Sequence, residues 1–172
     1  PMAGMSRRFT EAGYALPKYM LEAHGRTLFG HAVGGFHRFF ARTPFLFILR
    51  DVQGTADFVR GEVARLGIAD ARICVLDAPT AGQAETVALG LRRAGVAADT
   101  PCTIFNIDTF RWDFAHPPGL EEADGYLEVF RGAGANWSYV KPVPGTDRAA
   151  ETTEKVPVSD LCCTGLYHFR TA

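Results

Sequence analysis

Several things are scarce or missing in this chain of 172 residues. No apolar run approaches the ~20 residues of a membrane-spanning helix, so no membrane partner is expected. No secretory signal precedes the first motif. The four cysteines, Cys74, Cys102, Cys162 and Cys163, form no Cys-x-x-Cys pair. Adjacent Cys162-Cys163 is poor metal-ligand spacing, and reduced, mostly buried thiols in a cytoplasmic protein are expected. Charge of one sign is also missing. A net charge of −1 disfavours a general nucleic-acid binder, which would carry a basic excess. A dinucleotide oxidoreductase is disfavoured because Gly-x-Gly-x-x-Gly is absent. Lysine is rare: Lys18, Lys141 and Lys155 stand against fifteen arginines. In a chain that otherwise uses Arg, a Lys hints at a need for a compact ammonium.

The opening segment is the most informative. Pro1-Met2-Ala3-Gly4-Met5-Ser6-Arg7-Arg8-Phe9 is a Gly-led basic turn with no acidic residue before Glu11, and Pro17-Lys18 follows shortly. Such a turn can bend backbone N–H groups around an anion and set cationic side chains on it. A polyphosphate is the natural ligand.

Gly4 to Arg8 followed by Pro17-Lys18 resembles the signature of the sugar-phosphate nucleotidyltransferases, a G-x-G-x-R loop and then P-K. The closest resemblance is to the subgroup whose loop reads PMAG and continues into AGY…PK. Ser6 stands where the second loop glycine is usual, a departure that bears on how closely the backbone approaches a phosphate. The resemblance implies nucleotide binding by Ala3, Gly4, Met5 and Ser6, with Arg8 and Lys18 as catalytic residues.

Further along, the pattern alternates. Strands are expected at 45–49, 72–76 and 102–107, with a short one near Tyr19–Ala23. Helices are expected at about 27–40, 54–67 and 83–94. Alternation of this kind implies a mostly parallel sheet covered on both faces. After Asp108 the character changes: strand-like runs fall at 125–130, 136–143 and 162–169, with a polar loop at 145–155. The expectation is an α/β, Rossmann-like nucleotidyltransferase fold of the GT-A type, three-layered, with a mixed, mostly parallel central sheet. A single domain is expected over 1–172, with a nucleotide-binding half at 1–113 and a sugar-binding half at 114–172. The resemblance also implies that the family's first strand and its C-terminal segment, with a second metal-binding carboxylate, lie outside this chain.

Asp108 is expected to end a buried strand, in Asn106-Ile107-Asp108-Thr109-Phe110. Ligands of open α/β sheets bind at the carboxyl ends of strands, and Mg²⁺ prefers hard oxygen ligands that it shares with nucleotide phosphates. The resemblance makes Asp108 the metal ligand, where the alternative is a turn or cap Asp. Asn106 would orient Asp108 or touch the sugar. Thr80-Ala81-Gly82-Gln83 resembles the family's base-reading turn, so Gly82 and Gln83 are nucleotide-binding candidates. Asp77 stands where many members place a base-reading Gln. A carboxylate only accepts hydrogen bonds, which leans toward CTP or GTP; Asp77 could equally cap a turn. Glu154-Lys155 resembles the family's E-K pair for sugar hydroxyls and sugar phosphate, although such a pair alone reads as an exposed ion pair. Gly165-Leu166-Tyr167-His168-Phe169 resembles its G-x-Y-x-F strand, with Gly165 near the substrate. Trp112 and Trp137 read as core or rim aromatics.

The resemblance implies an enzyme that joins an NTP to a phosphorylated sugar or similar small molecule, releasing pyrophosphate. Nucleotide and phosphorylated substrate are the expected partners, and a homo-oligomer is compatible with the sequence. Two rivals are a GT-A-type glycosyltransferase, whose D-x-D motif Asp108-Thr109-Phe110 lacks, and a nucleotide-binding module without turnover.

Overall fold

The structure is a computed structural model and describes all residues except 5–8 and 10. The chain divides into two compact units, Pro1–Thr100 with Asn106–Pro118 and Ala172, and Pro101–Phe105 with Gly119–Thr171.

In the first unit, β1 (Glu22–Ala23) and β2 (Arg26–Thr27) form a small antiparallel hairpin. His24 and Gly25 turn it with φ of 50° and 71°, the double left-handed conformation of a tight hairpin turn. Thr27 then caps helix α1 (Leu28–Gly34), its hydroxyl accepting from the Gly30 N–H at 2.9 Å, as N-cap residues do. The expected helix at 27–40 stops at the Gly34-Gly35 pair, and a 3-10 turn at His37–Phe39 replaces its second half. The short strand expected at Tyr19–Ala23 is also reduced: a 3-10 turn covers Lys18–Met20, and only Glu22–Ala23 pairs.

Strand β3 (Phe45–Leu49) pairs in parallel with β4 (Ala71–Val75), Phe45 facing Ala71 and Leu49 facing Val75. Helix α2 (Thr55–Leu66) connects them. It ends at Gly67, whose φ of 73° is the left-handed cap conformation. Met2 adds a parallel bridge to Leu49, with its N–H donating to the Ile48 carbonyl at 2.6 Å. Gly4 therefore follows a parallel pairing at the carboxyl end of β3. Helix α3 (Gln83–Arg93) covers this set, packing Leu89 against a cluster of Ala3, Ile48, Cys74 and Leu76. Phe29 of α1 meets Phe47 at 5.4 Å and Phe58 at 5.8 Å between ring centroids. Phe29 and Leu89 thus pack onto the strands and Phe29 also onto helix α2, and such packing makes helices more stable than propensity alone would.

The second unit is one antiparallel sheet. Its centre is β9 (Leu161–Phe169), where Cys162 and Leu166 are fully buried. Strand β6 (Gly125–Arg131) pairs along β9 from Leu161 to Phe169. The other side of β9 is shared by β5 (Cys102–Phe105), paired with Leu166–Phe169, and β7 (Ser138–Pro142), paired at Cys162. Strand β8 (Ala149–Glu154) extends the sheet beyond β7. Gly165 sits where β9 changes partner, opposite a register shift in β6, with φ of 88°. A left-handed residue inside a strand marks a bulge, and glycine suits it.

Three further expectations are corrected here. The sheet is not mostly parallel: among the described residues, parallel pairing is confined to β3–β4 and the Met2–Leu49 bridge, and the larger sheet is antiparallel. The third expected strand, β5, joins β9 rather than β3 and β4. The polar loop expected at 145–155 instead contains β8. Its side chains are almost all exposed, so backbone pairing to β7 holds it and no apolar alternation betrays it. No helix among the described residues is long and apolar enough to cross a membrane.

Candidate active site

Pro17 opens the 3-10 turn at Lys18–Met20, accepting from the Met20 N–H at 2.9 Å. Its fixed φ pre-sets the entry to the turn. Tyr19 anchors the turn from below. Its ring is buried, and its hydroxyl lies 2.9 Å from Thr55 Oγ1. The Thr55 hydroxyl donates to the Val52 carbonyl at 2.5 Å. Thr55 has one hydroxyl proton, so Tyr19 is the donor in their pair. Burial pushes the Tyr19 phenol above its ordinary range, which keeps it protonated.

With the turn fixed, the Lys18 ammonium reaches across the chain. Its Nζ lies 2.5 Å from Asp108 Oδ2, with 26% and 48% of the two side chains exposed. Ile107 is buried and holds Asp108 at the rim. Pro1, Met2, Gly4, Lys18, Tyr19, Asn106, Ile107 and Asp108 line a cleft of about 180 Å³. Gly4 is exposed, and a side chain there would meet nothing within 4 Å, so its backbone is open to a ligand.

Asn106 is oriented from a second direction. Gln83, the first residue of α3, donates from Nε2 to Asn106 Oδ1 at 2.7 Å. The turn before α3 is braced by its own side chains. The Glu85 carboxylate accepts from the Ala81 N–H at 2.5 Å, and the Thr80 and Thr86 hydroxyls lie 2.6 Å apart. Gly82 is extended, and a side chain there would also meet open space. Asp77 is mostly exposed and paired to Arg93, which donates from Nη2 at 2.6 Å.

The segment after Asp108 is tied to α1. The Phe114 N–H donates to the Gly35 carbonyl at 2.8 Å, and the Arg111 carbonyl lies where a Cβ at position 35 would stand. Phe110 packs on His31 at 5.6 Å, while Trp112 is 98% exposed rather than a core residue.

In the second unit, Lys155 Nζ lies 3.5 Å from Glu154 Oε1, both well exposed. Lys155 has a φ of 61°, and its N–H donates to the Trp137 carbonyl at 2.9 Å. The Ser138 hydroxyl donates to the Glu154 carboxylate. Tyr167 is pushed up to about 12, chiefly by burial and then by Cys163, so it stays a neutral phenol.

The structure thus brings together Gly4, Lys18, Asn106, Asp108 and, through Asn106, Gln83, whereas the Ala3 side chain packs into the apolar cluster with Ile48, Cys74 and Leu76. Asp77 stands apart on its ion pair. Glu154, Lys155 and Gly165 belong to the second unit. Met5, Ser6 and Arg8 lie outside the described residues. Tyr19 was not anticipated; an aromatic directly after Pro-Lys was its only signal.

No protein-family model and no curated protein matches the chain. Among solved structures, it is similar to the nucleoside-diphosphate-sugar pyrophosphorylase from Vibrio cholerae RC9, with 55% identity over 99% of this chain and 72% of that one, at a TM-score of 0.94. The chain belongs to the nucleoside-diphosphate-sugar pyrophosphorylase family. It is therefore an enzyme of the sugar-phosphate nucleotidyltransferase type, acting on small molecules. Two remoter structures share the fold. A UDP-glucose pyrophosphorylase complexed with UDP-glucose is 14% identical, over 99% of this chain and 74% of that one, with a TM-score of 0.71. The inositol-1-phosphate CTP transferase from T. maritima is 15% identical, over 97% and 67%, with a TM-score of 0.69.

Proposed function

We propose that the enzyme joins an NTP to a phosphorylated sugar or similar phosphorylated small molecule, giving a nucleoside-diphosphate product and pyrophosphate. The Lys18–Asp108 pair in a cleft beside the exposed Gly4 backbone carries this reading. An exposed glycine backbone and an ammonium suit a triphosphate, and a carboxylate at the same rim suits its cation.

The donor at this rim suits magnesium. Asp108 offers hard oxygens at an open rim. Magnesium bound with nucleotides typically takes one or two carboxylates and completes its shell with water and phosphate oxygens. Asp108 would hold it, and the bound ion would neutralise charge on the triphosphate.

The residues of the chain then have separable tasks. Lys18 would hold phosphate oxygens, and Gln83 and Asn106 would set hydrogen-bonding groups on the nucleotide or sugar. Glu154 and Lys155 would take the sugar hydroxyls and phosphate, and Gly165 would contact the substrate. Arg8 would stabilise the departing pyrophosphate, and Ala3, Gly4, Met5 and Ser6 would form the phosphate turn. The attacking phosphate is already an anion, so positioning and charge stabilisation suffice without a general base. A role for Asp77 in reading cytosine or guanine requires its pair with Arg93 to open.

The test is pyrophosphate release with Mg²⁺ across the four NTPs and a panel of sugar phosphates. One pairing should turn over, and Asp108→Asn should lower its kcat/KM by roughly 100-fold or more. Nucleotide binding without release for every pairing would replace this reading with that of a binding module.

A further inference from the structure

We infer that Lys18 is the resident counter-ion of Asp108, so that a divalent cation and the ammonium compete for one carboxylate. The inference rests on the reading of Asp108 as the cation ligand and adds a second role for Lys18. The contact is direct: Nζ to Oδ2 is 2.5 Å, between residues 90 apart in sequence. The pair is covered on its lysine side. Pro17 and the buried Tyr19 fix both ends of the Lys18 backbone, and three-quarters of the side chain is covered. A partly covered pair is screened less than an exposed one.

The consequence is a coupling between ligands. A cation arriving alone must displace an ammonium that gains no new partner. A triphosphate arriving alone meets a lysine already engaged by a carboxylate. Together they allow an exchange in which Asp108 turns to the cation and Lys18 turns to the phosphates, so neither charge is left bare. Each ligand then raises the affinity of the other by the same factor. Lysine suits this better than arginine because its charge is compact and its stem flexible.

The experiment reads Mn²⁺ binding by electron paramagnetic resonance of the free ion, without nucleotide. Lys18→Met and Lys18→Gln should each bind Mn²⁺ about fivefold or more tightly than the parent chain. Lys18→Arg, which keeps the positive charge, should stay near the parent value. Asp108→Asn should lose the site. Circular dichroism confirms folding, and either neutral variant suffices. If both neutral variants bind Mn²⁺ no tighter than the parent while Asp108→Asn loses it, the counter-ion role is overturned and the metal site stands. If Asp108→Asn binds Mn²⁺ as the parent does, the assignment of Asp108 itself fails.

Discussion

Two helical glycines make opposite predictions for the same substitution. Gly61 lies mid-helix in α2 on an exposed face, and a Cβ there would meet nothing within 4 Å. Replacing it by Ala removes a flexible residue from a helix interior, which stabilises by about 0.5–1 kcal/mol. Gly90 is buried in α3, where a Cβ would stand 2.9 Å from Ile48 Cγ2 and closer still to Cγ1 and Cδ1. Ile48 is itself buried and β-branched, so one rotamer change cannot clear all three atoms. Overpacking costs about 1–3 kcal/mol. After the helix-propensity gain of about 1 kcal/mol, Gly90→Ala should destabilise by ~1 kcal/mol. At this chain length each kcal/mol moves Tm by roughly 2–4 °C. Gly61→Ala should therefore raise Tm by about 1–4 °C and Gly90→Ala lower it by about 2–4 °C. Ile48→Ala tests the cause. Alone it should cost about 2–5 kcal/mol through the cavity it leaves. In that background the methyl added by Gly90→Ala has room, and the substitution should become stabilising by ~1 kcal/mol, a coupling of about 2 kcal/mol. Melts and urea titrations followed by circular dichroism measure all four corners of the cycle. If Gly90→Ala stabilises as Gly61→Ala does, with no coupling to Ile48, the close seating of α3 on β3 is wrong. So then is the account of how Gln83 reaches Asn106.

Two further predictions concern the frame around the cleft. Gly35→Ala would drive a Cβ into the Arg111 carbonyl, and backbone cannot rotate out of the way. It should cost about 1–3 kcal/mol and weaken Mn²⁺ binding at Asp108; a variant with parent Tm and parent Mn²⁺ affinity would contradict that packing. Glu62, nearly buried, accepts from Arg65 at 2.7 and 2.9 Å and from Thr27 at 2.5 Å. Arg65 above all, then Thr27, holds its carboxyl below the usual 4.5 against the opposing effect of burial. Its stabilisation is thus fully present above pH 4.5 and is lost as pH falls through the lower folded value. Glu62→Gln should lower Tm at pH 7, by about 1–3 kcal/mol of stability, and lose less than the parent between pH 5 and 3. Parallel acid limbs for the two proteins would refute the assignment.

The sequence by itself determined the elements whose signals are local. Strand β3 and helix α2 follow their apolar spacing and the Gly67 cap, and β4 and α3 lie within one residue of the expected bounds. It also named candidates for the site, a glycine in a basic segment, a lysine behind a proline and an aspartate after Ile107, of which Gly4, Lys18 and Asp108 line one cleft. Tertiary structure decided what these patterns leave open. Strand β5 carries the apolar run of a buried strand, yet nothing within it says whether its partner is β4 or β9. Strand β8 has almost no buried side chain, so only pairing with β7 reveals it. Lys18 and Asp108 could each be named from sequence, but not their 2.5 Å contact. That contact depends on Tyr19 seated on Thr55, on the path of the chain past Gly35 and on the end of the Asn106–Asp108 run, all at long separation in sequence. Local patterns specify which groups are present, and only the packing of distant elements determines which of them meet.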